Sequence, residues 1–169
     1  MNDEIDEKIL TIIQQDARAS NAEIARQLGM APSAIFERIR KLEARGVIMG
    51  YETRLNPHAL EAGLLAFVFV RDEGAYGALE TGAALALIPE VQEVHNVAGE
   101  DCYLVKVRVA DTEALSRLLR ERFGAIPSIR STRTTIVLDT LKETAQINLT
   151  RSTGSTVGRD REERSHGER

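Results

Sequence analysis

The stretch Ser20–Tyr51 constrains the fold more than any other, because its residues predict two helices separated by a tight turn. Ser20 stands three residues before Glu23, a spacing typical of the capping box that begins a helix. Gly29 lies where the end of a helix favours a left-handed residue. Pro32 has no amide hydrogen to donate and therefore suits the first turn of the second helix. The stretch predicts the order helix, turn, helix.

The second of these helices has one apolar face and one polar face. Ile35, Ile39 and Leu42 recur at spacings of four and three residues, which places them on a single stripe. Cations and short polar groups on the opposite side suit the DNA major groove. A helical hairpin with a solvated basic face, in a small domain of any function, is the alternative. The polar side holds Ser33, Phe36, Glu37, Arg40 and Lys41, with Arg38 and Arg45 at its edges.

The overall charge and the local charge of the chain point in different directions. A net charge of −4 at pH 7 does not indicate a nucleic-acid-binding protein. Residues 33–45, however, hold four cations against two carboxylates, whereas acids cluster at the start of the chain. Because a basic surface acts locally, the predicted helix can contact DNA despite the net charge.

The composition excludes several other classes of protein. Of the 169 residues, 43% are hydrophobic and 28% charged, as in ordinary globular proteins of one or two domains. No apolar run is long enough to cross a bilayer, and the acidic first residues do not resemble a secretory signal. One cysteine and three scattered histidines give neither an internal disulfide nor metal-ligand spacing. We expect a cytoplasmic protein with no membrane partner, no metal, no catalytic residues and no cofactor.

The regions on both sides of the two helices complete a first domain. Residues 3–15 predict an amphipathic helix, which would close a three-helix core with the other two. Residues 47–55 alternate in the manner of a strand, either the wing of a winged helix or a hinge strand. Asn56-Pro57 then favours a turn, because proline cannot donate to a β-ladder.

The second half of the chain predicts four strands and two helices. Strands are expected at 64–70, 91–97, 103–109 and 129–138, and helices at 74–88 and after Asp111. In the 91–97 strand, alternation places Val91, Glu93 and His95 on one face and Val94 on the other. The order is βαββαβ, a ferredoxin-like arrangement. The apolar face predicted for the 74–88 helix consists of Leu79, Ala83, Ala86 and Leu87.

These elements give an α+β protein, with an N-terminal (winged) helix-turn-helix domain joined by a hinge strand to a C-terminal ferredoxin-like βαββαβ domain. We expect these parts at residues 1–50, 51–61 and 62–149. Residues 150–169 have almost no apolar side chains and predict a disordered tail. The first strand and the end of the last strand are apolar on both faces, so we expect the free face of the sheet to pair with a second copy as a homodimer.

Five segments together identify the chain as similar to one family. They are 5–10, 35–40 with 42–43, 46–48, the turn Val97–Leu104, and 132–134 with 136–138. The chain resembles the Lrp/AsnC family of bacterial and archaeal transcription factors, the leucine-responsive, asparagine-operon or feast/famine regulators, over residues 3–147. This resemblance implies DNA binding by the N-terminal domain, and pairing through the C-terminal domain, commonly into octamers of four dimers.

The resemblance also implies which residues contact DNA. Arg40 is the candidate for reading guanine and Glu37 for reading cytosine, whereas Arg38 and Lys41 are the candidates for holding phosphates. The complete predicted DNA-binding set is Asn21, Ala22, Ser33, Phe36, Glu37, Arg38, Arg40 and Lys41.

The resemblance further implies an amino-acid effector bound between dimers at a loop of the C-terminal domain. The matching loop is Gly99, Glu100 and Asp101, in which backbone amides suit a ligand carboxylate and an acid suits its ammonium group. Thr132 and Thr134 are candidates for the same pocket or for plain sheet surface. Cys102 stands where many family members carry an acid. An ordinary tight turn is the alternative for this loop.

Two other functions stay open on the sequence alone. Siroheme decarboxylases resemble this family in fold and use histidines against a tetrapyrrole, so His95 is the candidate residue for such an enzyme. A single strand histidine is more often a packed or surface residue, which is the alternative for His95. The other alternative is an amino-acid-sensing module that has lost DNA binding. We favour the transcriptional regulator, because the basic helix is intact.

Overall fold

The computed structural model describes residues 3–73, 79–99 and 101–149. They form two compact units, one from the described residues of Met1–Glu52 and Thr144–Arg169, the other from those of Thr53–Glu143. Residues 144–149, expected in the second domain, belong to the first unit because Gln14 binds them. The Gln146 Nε2 donates to the Gln14 carbonyl at 2.9 Å, and the Ile147 amide donates to the Gln14 side chain at 2.7 Å.

The first unit contains the three predicted helices. These are α1 (Glu4–Gln15), α2 (Asn21–Leu28) and α3 (Pro32–Ala44). Ser20 forms the predicted capping box with Glu23, and Gly29 ends α2 in the left-handed conformation at a φ of 65°. Ile9, Ile24 and Ile35 are fully buried between the helices. The helix-turn-helix prediction is confirmed.

Residues 47–55 differ from the predicted hinge strand, since they pair with no strand in the described part of the chain. The amides of Val47 and Ile48 instead donate to the Leu42 carbonyl at the end of α3, at 2.9 and 3.3 Å. Alternation of apolar residues favours an extended conformation, but a strand also needs a hydrogen-bonded neighbour. Met49, at 96% exposure, is one of the apolar side chains left in solvent here.

The second unit is a four-stranded antiparallel sheet with two helices. The elements are β1 (Leu64–Asp72), α4 (Glu80–Ala86), β2 (Val91–Asn96), β3 (Tyr103–Val109), α5 (Thr112–Leu118) and β4 (Ile129–Ile136), and the strand order is β2-β3-β1-β4. A turn of π-helix, Leu119–Phe123, extends α5. This is the predicted βαββαβ order. Residues 74–78 of the predicted first helix lie outside the described residues, as does the predicted tail, 150–169.

The core of the second unit lies between the sheet and its helices. Tyr103, Val105, Val107 and Val109 of β3 are all buried, so the predicted alternation of this strand is confirmed. Asp111 caps α5 as predicted, accepting from the Ala114 amide at 2.7 Å. The other buried members of the core are Ala66, Val68, Val70, Leu85, Ile88, Leu115, Leu118 and Phe123.

The apolar face predicted for α4 is the exposed one. Leu79 and Leu87 are 62% and 83% exposed, and Ala83 and Ala86 are exposed as well, whereas Leu85 is fully buried. Gly82 explains the difference. A Cβ on Gly82 would lie 2.8 Å from the Tyr103 ring, so this side of the helix packs against β3.

The predicted alternation of β2 is interrupted by a bulge. Val91 pairs with Val107 and Glu93 with Lys106, so Gln92 is an extra residue on this strand. Val91 and Val94 therefore share the face that packs on the core, instead of lying on opposite faces as predicted.

Among the described residues, no helix is long and apolar enough to span a bilayer.

Candidate functional site

The outward face of α3 is exposed and polar. With 100° of rotation per residue, Arg40 lies on the side of the helix away from Ile35 and Leu42, both of which are buried. The side chain of Arg40 is 63% exposed and Phe36 is 51% exposed. Ser33, Glu37 and Lys41 are exposed with them, as the sequence predicts.

Arg40 and Glu37 on this face form only a weak, exposed ion pair. Arg40 Nη2 donates to Glu37 Oε2 at 3.2 Å across one helical turn, and both side chains are at least half exposed. Such exposed pairs contribute about 0–1 kcal/mol. Both groups can therefore separate and contact a partner at little cost.

Arg38 is the exception among the predicted DNA-binding residues. Its Nη1 donates to Asp3 Oδ2 and Asp6 Oδ1, each at 2.7 Å, and its side chain is 29% exposed. Hydrogen bonds with the two carboxylates raise the pKa of the Arg38 guanidinium. The structure thus places Arg38 against α1, away from the exposed face of α3 that holds Arg40.

The start of α2 lies within the same unit. Asn21 is partly exposed and Ala22 is exposed, in the first turn after the capping residue. The Ser20 amide donates to Glu23 Oε2 at 2.8 Å, and the Glu23 amide donates to Ser20 Oγ at 3.2 Å. These bonds fix where Asn21 and Ala22 stand on the surface of the unit.

The predicted effector loop connects β2 to β3 and is held at both ends. Gly99 has a φ of 133°, and among the described residues other than its chain neighbours no atom lies within 4 Å of the position a Cβ would take. Past the turn, the Cys102 amide donates to the Val70 carbonyl at 2.8 Å, and the Val97 amide donates to the Cys102 carbonyl at 3.0 Å. Glu100 lies outside the described residues. The Gly99 backbone is therefore open in a loop with fixed ends.

Asp101 has a partner that the sequence analysis missed. Its Oδ2 accepts from Arg133 Nη2 at 2.8 Å, and the Arg133 guanidinium lies 4.0 Å from the centroid of the Phe69 ring. Phe69 and Arg133 pair across β1 and β4. The alternation of β4 was the available signal, because it places Arg133 on the face opposite to its threonine neighbours.

The structure does not bring the two predicted threonines together with Asp101. Thr132 and Thr134 pair with Val70 and Val68, whose side chains are buried beneath the helices. Both threonines therefore lie on the helix side of β4, whereas Arg133 projects from the other face. Thr134 lines a groove of about 510 Å³, together with Thr112, Leu115, Ser116, Leu119, Arg120 and Ile136.

The face of the sheet away from the helices combines apolar and charged side chains. Phe67, Phe69 and Leu104 are partly exposed on it. Beside them, Lys106 binds Glu93 at 2.9 Å and also Glu143, and only 11% of the Lys106 side chain is exposed.

The ion pairs with Lys106 lower the pKa of both the Glu93 and the Glu143 carboxyl. The hydrogen bond from Lys106 lowers the pKa of Glu143, and it is also the largest cause that lowers the pKa of Glu93. This network could not be predicted from the sequence, because Glu143 follows the last strand and no spacing pattern connects it to Lys106.

His95 lies on the surface of the second unit. It is exposed on β2, and its Nε2 lies 3.1 Å from Glu93 Oε2. Within the described ranges, no three His, Cys, Asp or Glu side chains converge to hold a metal ion. An exposed histidine beside a glutamate does not favour the tetrapyrrole enzyme.

Comparisons with known proteins agree with this geometry. The family model "Lrp/AsnC ligand binding domain" matches residues 65–147, and the model "Winged helix-turn-helix DNA-binding" matches residues 2–49. The leucine-responsive regulatory proteins of Salmonella typhimurium and Escherichia coli K12 are each 40% identical to the chain over 147 residues, covering 86% of this chain and 90% of each relative.

Solved structures give the same result. A transcriptional regulator from Neisseria meningitidis in complex with L-methionine has a TM-score of 0.83 at 26% identity, covering 89% of this chain and 98% of that one. A feast or famine regulatory protein from Mycobacterium tuberculosis, complexed with L-methionine, has a TM-score of 0.79 at 38% identity, covering 86% and 97%. These relatives are regulators, so neither alternative function is favoured, and the chain belongs to the Lrp/AsnC family of DNA-binding transcriptional regulators.

Proposed function

We propose that the chain regulates transcription by placing the outward face of α3 in the DNA major groove. The observation that carries this proposal is the exposed face around Arg40, which follows a capped helix and a glycine turn. Arg40 suits guanine and Glu37 suits cytosine, whereas Lys41 suits a phosphate. The other proposed contacts are Asn21, Ala22, Ser33 and Phe36.

We propose further that an amino-acid effector binds at the loop Gly99–Asp101. The open backbone at Gly99 suits a ligand carboxylate, and Asp101 suits the ammonium group. The L-methionine complexes of the two solved regulators support this class of ligand. Glu100 stays in the proposed site as a loop member. Thr132 and Thr134 stay as candidates only through another subunit, because within one chain they lie on the other face of β4.

The open face of the sheet supports a homodimer that buries Phe67, Phe69 and Leu104 against a second copy. Partly exposed aromatic side chains on one sheet face are typical of a surface that a partner covers. Higher assembly, such as an octamer, would bring the effector loops of neighbouring dimers together. We place the protein in the cytoplasm, where its DNA partner lies, with residues 51–61 as the linker between the domain at 1–50 and a second domain whose compact unit ends at Glu143.

Fluorescence anisotropy with the duplex upstream of the protein's own gene tests both parts of the proposal. We expect sequence-specific binding at moderate salt, and a shifted Kd in the presence of one amino acid. Absence of binding to any duplex would contradict the DNA part.

Two variants test the effector site in the same assay. Gly99→Val and Asp101→Asn should leave DNA binding intact and abolish the amino-acid effect. Asp139→Asn, an exposed acid beyond β4, is the matched control and should retain it. An amino-acid effect that survives both loop changes would contradict the effector site alone.

A further inference from the structure

Arg38 bridges Asp6 of α1 and Asp3, the residue that caps this helix, and the geometry of this bridge is specific. A single guanidinium nitrogen, Nη1, lies 2.7 Å from an oxygen of Asp3 and 2.7 Å from an oxygen of Asp6. The Asp6 side chain is only 12% exposed. The three side chains therefore form a partly buried cluster that links the start of α1 to the middle of α3.

Helical geometry explains why Arg38 points towards α1. Arg38 follows Ile35 by three residues, so it lies about 60° from that side chain around the helix axis. Ile35 is fully buried against α1 and α2. Arg40 lies about 140° from Ile35 and faces solvent. Arg38 thus borders the buried stripe, whereas residues farther around the helix from Ile35, such as Arg40, form the outward face.

Asp3 contributes to both ends of this link. Its Oδ1 accepts from the Asp6 amide at 2.8 Å and so caps α1, while its Oδ2 accepts from Arg38. The amide of Asp6 and the guanidinium of Arg38 both lower the pKa of the Asp3 carboxyl. The same carboxylate therefore fixes the first turn of α1 and attaches that turn to α3.

The charges of the cluster argue against a phosphate contact by Arg38. Two carboxylates face one guanidinium, so the cluster has a net charge of about −1 and does not attract DNA. To hold a phosphate, Arg38 would have to leave two short charge-assisted hydrogen bonds. It would also leave Asp6 as an unpaired and mostly buried carboxylate, which is costly.

We propose that Arg38 is a positioning residue for DNA recognition. By binding Asp3 and Asp6 it fixes the rotation of α3 relative to α1, and so fixes the direction in which Arg40 projects. The acids of α1 then assist specific binding although they repel phosphates. This inference rests on the proposed DNA-binding function, and it replaces the predicted phosphate contact of Arg38.

Two substitutions separate positioning from simple electrostatics, because the two effects have opposite signs. Removing an acid from a DNA-binding unit should strengthen binding to every duplex if charge alone matters. If Asp6 positions α3 through Arg38, Asp6→Asn should instead lower the ratio of specific to non-specific affinity by about tenfold, a typical coupling for groups in contact. Glu4→Gln is the matched control, because Glu4 is an exposed acid on α1 that pairs with Lys8.

Variants of Arg38 itself supply the second comparison. Arg38→Gln should lower the same ratio without changing the slope of log K against log salt. Arg38→Lys should largely retain the ratio, because one ammonium group can replace the single nitrogen that binds both acids. Amide hydrogen exchange in α1 should accelerate in Arg38→Gln and stay normal in Arg38→Lys.

The assay uses the full chain, a duplex selected from a random library by the wild-type protein, and a scrambled duplex. If Arg38 is a positioning residue, Asp6→Asn and Arg38→Gln should both lose specificity, and Glu4→Gln should not. Three results would overturn the positioning role of Arg38. They are tighter binding of every duplex by Asp6→Asn, a slope of log K against log salt lowered by about one unit in Arg38→Gln, and unchanged amide hydrogen exchange in α1 of Arg38→Gln. A wild-type chain that selects no duplex would overturn the proposed function as well, whereas normal selection with the reversed variant pattern would overturn this inference alone.

Discussion

Leu85 and Leu87 provide a direct test of how α4 packs, because they lie two residues apart and differ completely in exposure. Leu85 is fully buried in the core of the second unit, whereas Leu87 is 83% exposed. Replacing a fully buried leucine by alanine typically costs 2–5 kcal/mol, and we expect about 3 kcal/mol for Leu85→Ala. The same change at Leu87 should alter the free energy of unfolding by less than about 0.5 kcal/mol.

Urea unfolding followed by circular dichroism measures this difference. With a denaturant slope of about 2 kcal/mol per molar, Leu85→Ala should lower the midpoint by about 1.5 M. Each variant is measured at two protein concentrations, since a contact between subunits makes stability depend on concentration and a core contact does not. If Leu87→Ala lowered the midpoint as much as Leu85→Ala at both concentrations, the assignment of the buried face of α4 would be wrong.

Three further changes test other parts of the structure. Ser20→Ala should remove the cap of α2 and cost about 1 kcal/mol in a thermal melt, and an unchanged melting temperature would contradict the capping box. Gly82→Ala should destabilise the second unit by about 1 kcal/mol, because overpacking against the Tyr103 ring exceeds the gain in helix propensity; a stabilised variant would refute this packing. The pKa values of Glu93 and Glu143 are lowered from their ordinary value of 4.5, so their ion pairs stabilise the folded chain at pH values above 4.5. This contribution should be lost as the pH falls from 4.5 through the lowered pKa values. Glu143→Gln should reduce the pH dependence of the urea midpoint, and an identical pH profile would argue against the ion pairs with Lys106.

The elements that the sequence predicted well are those whose signals are local. The capping box at Ser20, the glycine that ends α2 and the cap at Asp111 each depend on residues within one helical turn. The strict alternation from Tyr103 to Val109 has the same character, because it needs only the period of a strand. These signals were sufficient for the helix-turn-helix and the order of the second domain.

The errors share a different cause, because each depends on a neighbour that is distant in the sequence. The buried face of α4 is decided by Gly82 against Tyr103, and a search for apolar residues cannot identify a glycine as a packing position. The bulge at Gln92 reverses the faces of β2, although the sequence itself shows plain alternation. Residues 47–55 have the pattern of a strand without a described partner strand.

The candidate sites follow the same division. The exposed face around Arg40 could be predicted from helical periodicity, since the opposite stripe is apolar. The partners of Arg38 lie more than thirty residues away in α1, and the partner of Asp101 lies on β4. Sequence spacing therefore gave the residue types at each site but not the ion pairs that decide what each residue does.

The salt dependence of DNA binding by Lys41→Gln tests the central claim most directly, namely that the outward face of α3 contacts the duplex. Lys142→Gln, an exposed lysine of the second unit, is the control. We expect Lys41→Gln to weaken binding to all duplexes and to lower the slope of log K against log salt by about 0.9, while Lys142→Gln leaves the slope unchanged. A wild-type slope in Lys41→Gln, or an equal loss in Lys142→Gln, would contradict the proposed interface.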